Sequence, residues 1–269
     1  MDIVYIYDAV FPWIKGGVER RVYEVGKRLV KEGFRVRWLC AGWWGKEKNI
    51  LEGIELIPVC GALKLYSGDR RSIRSAFIFA ISLLKKARIK ADLIDCQVFP
   101  YLSVFPFITR KNLVLTWHEL WSDYWSEYLG TMGFFGKYIE KIVASLDRRM
   151  IAVSEKTARA LRGLGVESVE VIPNGIDFDF ISSIEKAEVE NEIVFAGRLI
   201  KEKGVDLLIE AMKLLPDYDC FIIGDRPEKE TLRNLAPAFR SALIDTALGM
   251  GYGTILTPLL LILGYLRRL

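Results

Sequence analysis

The feature that most constrains this chain is a recurring alternation. Short, largely apolar runs of strand length are separated by loops and amphipathic helices. The runs are Ile3 to Tyr7, Arg35 to Cys40, Ile54 to Val59, Leu93 to Asp95, Leu113 to Thr116, Met150 to Val153 and Val169 to Ile172. Strands that are apolar on nearly every position are buried on both faces, which predicts a parallel sheet between helix layers. The first three elements form a βαβ opening: a strand, a loop ending in Lys15-Gly16-Gly17, a helix from Val18 closed by Gly33, and the next strand. On that helix Val18, Val22, Val25, Leu29 and Val30 make the expected inner face. Glu19, Arg20, Arg21, Lys27 and Arg28 are expected to face water. The loop lacks the GxGxxG fingerprint, which argues against a nicotinamide enzyme. Gly16 and Gly17 make a tight turn.

Further helices are expected over Ser72 to Arg88, with a basic outer face, and over Lys137 to Leu146. Tyr101 to Phe107 reads as a short helix broken by Pro106. Ser154 is a good N-cap for a helix over Glu155 to Leu164. The strand from Val169 ends in a Pro173-Asn174-Gly175 turn, and a second short strand, Glu192 to Ala196, runs into Gly197. Arg198 and Lys203 then stand beside a helix that opens near Val205. A glycine turn, a helix N-terminus and two cations suit a diphosphate. As solvated loop charges they need no ligand. The strand Tyr218 to Ile223 and a helix from Glu228 follow.

His118 is the only histidine, and it sits just past the end of a predicted parallel strand. Ligand sites in such sheets lie there, although a lone histidine also serves as a satisfied structural residue. Trp117, Trp121, Tyr124, Trp125 and Tyr128 form a dense aromatic group. It suits stacking on a sugar ring, contact with a membrane, or a filled core.

The net charge of +4 suits an anionic ligand or membrane surface and is too dispersed to argue for nucleic acid. Cys40, Cys60, Cys96 and Cys220 show no CxxC spacing, so neither a zinc site nor a redox motif is expected. They read as buried thiols of a reducing, cytoplasmic compartment. The N-terminus opens as a strand and does not read as a signal peptide. Mean hydropathy is +0.20, and much of the excess lies between Thr246 and Tyr265, a run with no charged residue flanked by Arg267 and Arg268. Such a run either spans a hydrocarbon core or completes a sheet as a buried helix or strand pair.

IPNGID followed by FAGRLIKEKGVDLLIEAM, with GGVERRVYEVGKRL and AVSEKTARAL upstream, resembles the group-1 (family 4) glycosyltransferases of the GT-B fold. The resemblance covers about residues 1–236. It implies an α/β chain with an N-terminal Rossmann-like, acceptor-side domain over 1–173. An incomplete second Rossmann-like, nucleotide-sugar-binding domain would cover 174–237, and a C-terminal apolar helix 238–269. It further implies transfer of a sugar, with retention, from a nucleotide-diphosphate donor to a carbohydrate or lipid-linked acceptor. His118 would face the donor sugar as the catalytic residue. Gly16, Gly17, Arg198 and Lys203 would bind the donor diphosphate, with no metal and no cofactor beyond the donor. Asp177-Phe178-Asp179 spells the DxD metal signature of a different glycosyltransferase fold, but Asp177 belongs to the NGID turn.

The family's EX7E loop has no counterpart, so impaired turnover is expected. The alternative is a non-catalytic, membrane-tethered or nucleotide-binding module, and an epimerase of the same fold fits the GRL…KG loop less well. The tail IDTALGMGYGTILTPLLLILGY resembles the first hydrophobic segment of TauE/SafE permeases. That implies a gene fusion and association with the cytoplasmic side of a membrane.

Overall fold

The opening run becomes strand β1 (Asp2–Ile6), buried on both faces. Val4 and Ile6 enter one core, and Ile3 and Tyr5 enter another. This is the period-two partition of a strand between two layers. The computed structural model describes residues 1–44, 49–67, 70–184, 190–197, 199–224, 228–235 and 241–244. The chain divides into two compact units, Met1–Gly175 and Ile176–Leu269.

In the first unit, α1 (Gly17–Lys31) leads to β2 (Arg35–Gly42). A two-residue strand, β3 (Ile50–Leu51), pairs antiparallel with β4 (Ile54–Gly61). A hairpin of β5 (Tyr66–Ser67) and β6 (Arg70–Arg71) precedes α2 (Ile73–Leu83). Next come β7 (Leu93–Val98), a 3-10 helix over Tyr101–Phe107, and β8 (Leu113–Trp117). The unit closes with α3 (Tyr124–Leu129), α4 (Gly133–Ala144), β9 (Arg149–Ala152), α5 (Glu155–Gly163) and β10 (Val169–Val171). Ser154 caps α5, its side chain accepting from the Thr157 N–H at 3.1 Å.

The sheet order is β10-β9-β8-β7-β1-β2-β4-β3, parallel throughout except for β3. The chain builds outward from β1 to β4, then returns to lay β7 on the other edge of β1. That reversal is a topological switch point. The carboxyl ends of β1 and β7 flank the crevice where such sheets bind ligands.

Four expectations are corrected. On α1, Glu19 is buried and Val25 is exposed. The buried stripe runs Glu19, Val22, Gly26, because Gly26 brings the helix backbone onto Ile54. The outer face of α2 is apolar rather than basic, with Ile73, Phe77 and Ile81 exposed. Pro106 does not break the segment 101–107, which is one 3-10 helix containing it. Strand β7 extends three residues past Asp95 because Asp95 and Gln97 find polar partners inside the fold.

The second unit contains α6 (Phe178–Ser182), β11 (Glu192–Ala196), a 3-10 turn over Lys201–Lys203 and α7 (Val205–Met212). It continues with β12 (Asp219–Ile223), α8 (Lys229–Leu235) and β13 (Ser241–Ile244). Its parallel sheet runs β11-β12-β13 over a core that includes Leu199, Val205, Ile209, Ile222 and Leu232. Asp177 is the N-cap of α6, its carboxylate accepting from the Phe180 N–H at 3.1 Å.

An apolar helix was expected from 238 onward, but Ser241–Ile244 is a strand. It pairs with Cys220–Ile223, whose free edge supplies backbone partners. The expected span Thr246 to Tyr265 lies outside the described residues. Among the described residues no helix is long and apolar enough to cross a membrane.

Candidate functional site

The glycine pair stands at the start of α1. Gly16 is its N-cap with φ −156°, an extended conformation open to any residue. Space separates the two glycines. A Cβ on Gly16 would meet Glu19 Oε1 at 2.7 Å, whereas one on Gly17 would have no heavy atom within 4 Å. The Glu19 carboxylate thus folds back over the helix N-terminus, where the dipole favours it. Gly17 is left as the open approach to that end.

One turn further on, Arg21 Nη1 donates to the Pro173 carbonyl at 3.1 Å and to Asn174 Oδ1 at 2.9 Å. This fastens α1 to the Pro-Asn-Gly turn after β10. Arg21 also lines a shallow recess of about 30 Å³ with Tyr5, Val22, Val25, Asp95 and Gln97. Asp95 Oδ1 accepts from Thr116 Oγ1 at 2.7 Å. Burial pushes its carboxyl up to about 6, although the Thr116 hydrogen bond, the Arg21 charge and Gln97 all pull the other way.

His118 follows the last residue of β8, and its Nε2 lies 2.9 Å from Gln97 Oε1. Its carbonyl accepts from Thr157 Oγ1, in the first turn of α5, at 3.3 Å. Burial, and then the charge of Arg21, lower the imidazole to about 4. The ring is neutral at pH 7. With Nε2–H donated to Gln97, Nδ1 remains an acceptor. A neutral imidazole at a strand end can accept from a sugar hydroxyl without adding charge to the site.

The aromatic segment after His118 is mostly scaffold. Trp117 and Trp125 are buried, and the Trp121 ring packs against Phe99 at 4.7 Å and Trp125 at 4.8 Å between centroids. Glu140 of α4 organises it from below. Its carboxylate accepts from the Trp121 and Ser122 N–H groups at 2.9 Å, Tyr101 Oη at 2.7 Å and Trp125 Nε1 at 3.3 Å. On the same helix a Cβ on Gly133 would collide with the Trp125 backbone carbonyl and one on Gly136 with its indole, so the absent side chains let α4 approach that residue. At the end of β1, buried Asp8 is ion-paired with Arg71 through Oδ1. Its Oδ2 has no hydrogen-bond partner among the described residues.

In the second unit the ends of β11 and β12 meet. The Gly197 N–H donates to the Ile223 carbonyl at 2.9 Å. A Cβ on Gly224 would lie 2.1 Å from the Gly197 carbonyl oxygen, so position 224 has no room for a side chain. Lys203 is exposed and ends the 3-10 turn, and Gly204 (φ +61°) turns the backbone left-handed into α7. Arg198 lies outside the described residues. The structure thus gathers α1 and His118 around the first-unit switch point and sets Lys203 at a strand-to-helix turn of the second unit.

Sequence reasoning missed Asp8, Arg71, Asp95, Gln97, Glu140 and Gly224. Three of them left a signal. Asp95 and Gln97 interrupt an otherwise apolar strand, and Glu140 sits at helical spacing between inward Gly136 and Val143.

The sequence model of Glycosyltransferase Family 4 matches residues 15–180, and that of Glycosyl transferases group 1 matches residues 177–240. An uncharacterized glycosyltransferase of Haemophilus influenzae is 24% identical over 230 residues. The match covers 83% of this chain and 62% of that relative, so the chain spans less than two thirds of its length. The solved structure of sucrose-phosphate synthase from Thermosynechococcus elongatus is similar with a TM-score of 0.70 at 15% identity, covering 96% of this chain and 72% of that one. Anabaena HepE, in complex with UDP and glucose, is similar with a TM-score of 0.63 at 18% identity, covering 92% of this chain and 70% of that one.

Likeness at such identities defines the fold, and the class is an α/β protein of the GT-B-like kind. The family match, which takes in well over half of the residues, is more specific. The chain belongs to Glycosyltransferase Family 4.

Proposed function

We propose that the chain acts in transfer of a sugar, with retention, from a nucleotide-diphosphate donor to a carbohydrate or lipid-linked acceptor. One observation carries this reading. The helix N-terminus with Gly17 open to approach and the neutral His118 both belong to the switch point of a family-matched sheet. Gly16 and Gly17 present backbone N–H groups to the donor phosphates, and Arg198 and Lys203 add positive charge. Donors of this kind, aimed at the leaving diphosphate, stabilise charge as it develops. They do so without requiring a metal ion. His118 holds the donor sugar through Nδ1. Four free cysteines fit the reducing, cytoplasmic compartment that the reading carries with it.

Calorimetry of the full chain with UDP, GDP and ADP in turn tests the proposal. Binding of one of them, weakened about tenfold or more in Arg198→Ala and Lys203→Ala, is the expected result. Binding of none, or binding that neither substitution alters, overturns it.

A further inference from the structure

The outer face of α2 carries apolar side chains that the fold does not use. Ile73, Phe77, Ile81 and Leu84 are each between 51% and 62% exposed. They are spaced four, four and three residues apart and form one stripe along the helix and its 3-10 extension. The opposite face already packs into the core through Phe79 and Leu83. Arg74, Lys85 and Arg88, eleven and then three residues apart, border the stripe, and all three are exposed. The segment 73–91 also holds Lys86 and Lys90, and it contains no Asp or Glu.

The 3-10 helix Tyr101–Phe107 packs against both α2 and α4 on one side of the sheet. There α4 shows a similar combination, with Phe134, Phe135 and Tyr138 exposed beside Lys141. Contiguous apolar side chains of this kind mark interaction surfaces. The charge selects the partner. Along α2, cations without carboxylates beside an apolar stripe match a surface that is negative at its face and hydrocarbon beneath; on α4, Lys137 is already paired with the exposed Asp123 and Lys141 adds positive charge. The apolar residues would enter the acyl boundary while Lys and Arg stay at the phosphates.

We propose that the outer faces of α2 and α4 form a peripheral docking surface for an anionic lipid bilayer. The surface belongs to the first unit and is independent of the apolar run near the chain end. It also does not depend on the proposed chemistry.

Co-sedimentation of the full chain with phosphatidylcholine vesicles, containing or lacking phosphatidylglycerol, tests it. Binding is expected only with the anionic lipid and should weaken with added salt. The double variant Phe77→Glu/Ile81→Glu should bind about tenfold or more weakly, and Lys85→Glu/Lys86→Glu should do the same. All four positions are exposed, so both variants should melt with the parent chain, and the lysine pair gives an answer even if the apolar pair does not fold. Equal binding by parent and both variants overturns the proposal by placing the lipid contact elsewhere. Absence of vesicle binding overturns it as well. If self-association is then seen and is lost in Phe77→Glu/Ile81→Glu, the stripe is a contact between copies.

Discussion

Two carboxylates lie on opposite faces of the first-unit sheet, Glu140 buried and Asp95 half-buried, and they are held in different ways. Glu140, on the α2 and α4 side, accepts from two backbone N–H groups, a tyrosine hydroxyl and an indole. Asp95, on the α1 side, has the Thr116 hydroxyl, Gln97 and the charge of Arg21, and it borders a recess. The first is a structural tie that fixes an aromatic segment. The second is a half-buried acid that desolvation pushes toward its protonated form against the pull of Thr116, Arg21 and Gln97. The difference teaches that burial depth alone does not tell what a carboxylate does. The number and kind of donors around it do.

The largest effect should come from Glu140. Glu140→Ala leaves four donors without their acceptor and should cost about 4 kcal/mol in denaturant unfolding. Glu140→Gln, which keeps one oxygen, should cost roughly half as much. If the alanine variant were as stable as the parent, the carboxylate would not be the tie described and the comparison would fail.

Asp95 should show itself through pH. Its folded value is raised from 3.8 to about 6. The protonated form is therefore the one folding favours. That stability is present below pH 4 and is lost as pH rises through 6, by about 2 kcal/mol once its partial exposure is allowed for. His118 runs the other way, its folded value being lowered from 6.5 to about 4. Its contribution is present above pH 6.5 and is lost as pH falls through 4, by about 2 kcal/mol once its partial exposure is allowed for.

The two slopes oppose each other between pH 4 and 6, so the parent chain should be nearly flat there. Asp95→Asn should make stability rise with pH across that window, and His118→Gln should make it fall. Unfolding curves at a series of pH values would show both. A parent-like profile in either variant would remove that residue from the buried polar face.

The smallest effect on stability belongs to Gly17→Ala. Space for the new methyl exists, so the change should stay within about 0.5 kcal/mol. Nucleotide-diphosphate binding should nevertheless weaken if ligands approach that backbone. Calorimetry beside a melting curve separates the two.

Much of the fold was legible because it rests on local pattern. Apolar runs at β1, β8 and β11 and the Ser154 cap of α5 follow from residues adjacent in the chain. Legibility ended where polar residues are buried. A strand reading that stops at Asp95 misses three residues, since nothing local announces Thr116 as its partner. The same limit hid the rotation of α1. Its face is set by how Gly26 seats on Ile54, which ranks Glu19 inside and Val25 outside. Of the site residues, His118 was visible as a lone histidine at a strand end, whereas the neutral state of its ring depends on burial and on Arg21.

By itself, then, the amino-acid order determined the alternation of strands and helices, the glycine turns at their ends and the family to which the chain belongs. These depend on spacing, propensity and motif, all of which are read along one dimension. Tertiary structure decided which polar groups are buried, which face of α2 is left apolar, and why position 224 has no room for a side chain. Each depends on atoms brought together from far apart. Asp95 and Thr116 are separated by 21 residues, Tyr101 and Glu140 by 39, and Arg21 and Pro173 by 152. Hydrogen bonds and excluded volume act over a few ångströms of space, so partners that distant in sequence become neighbours only when the sheet has formed.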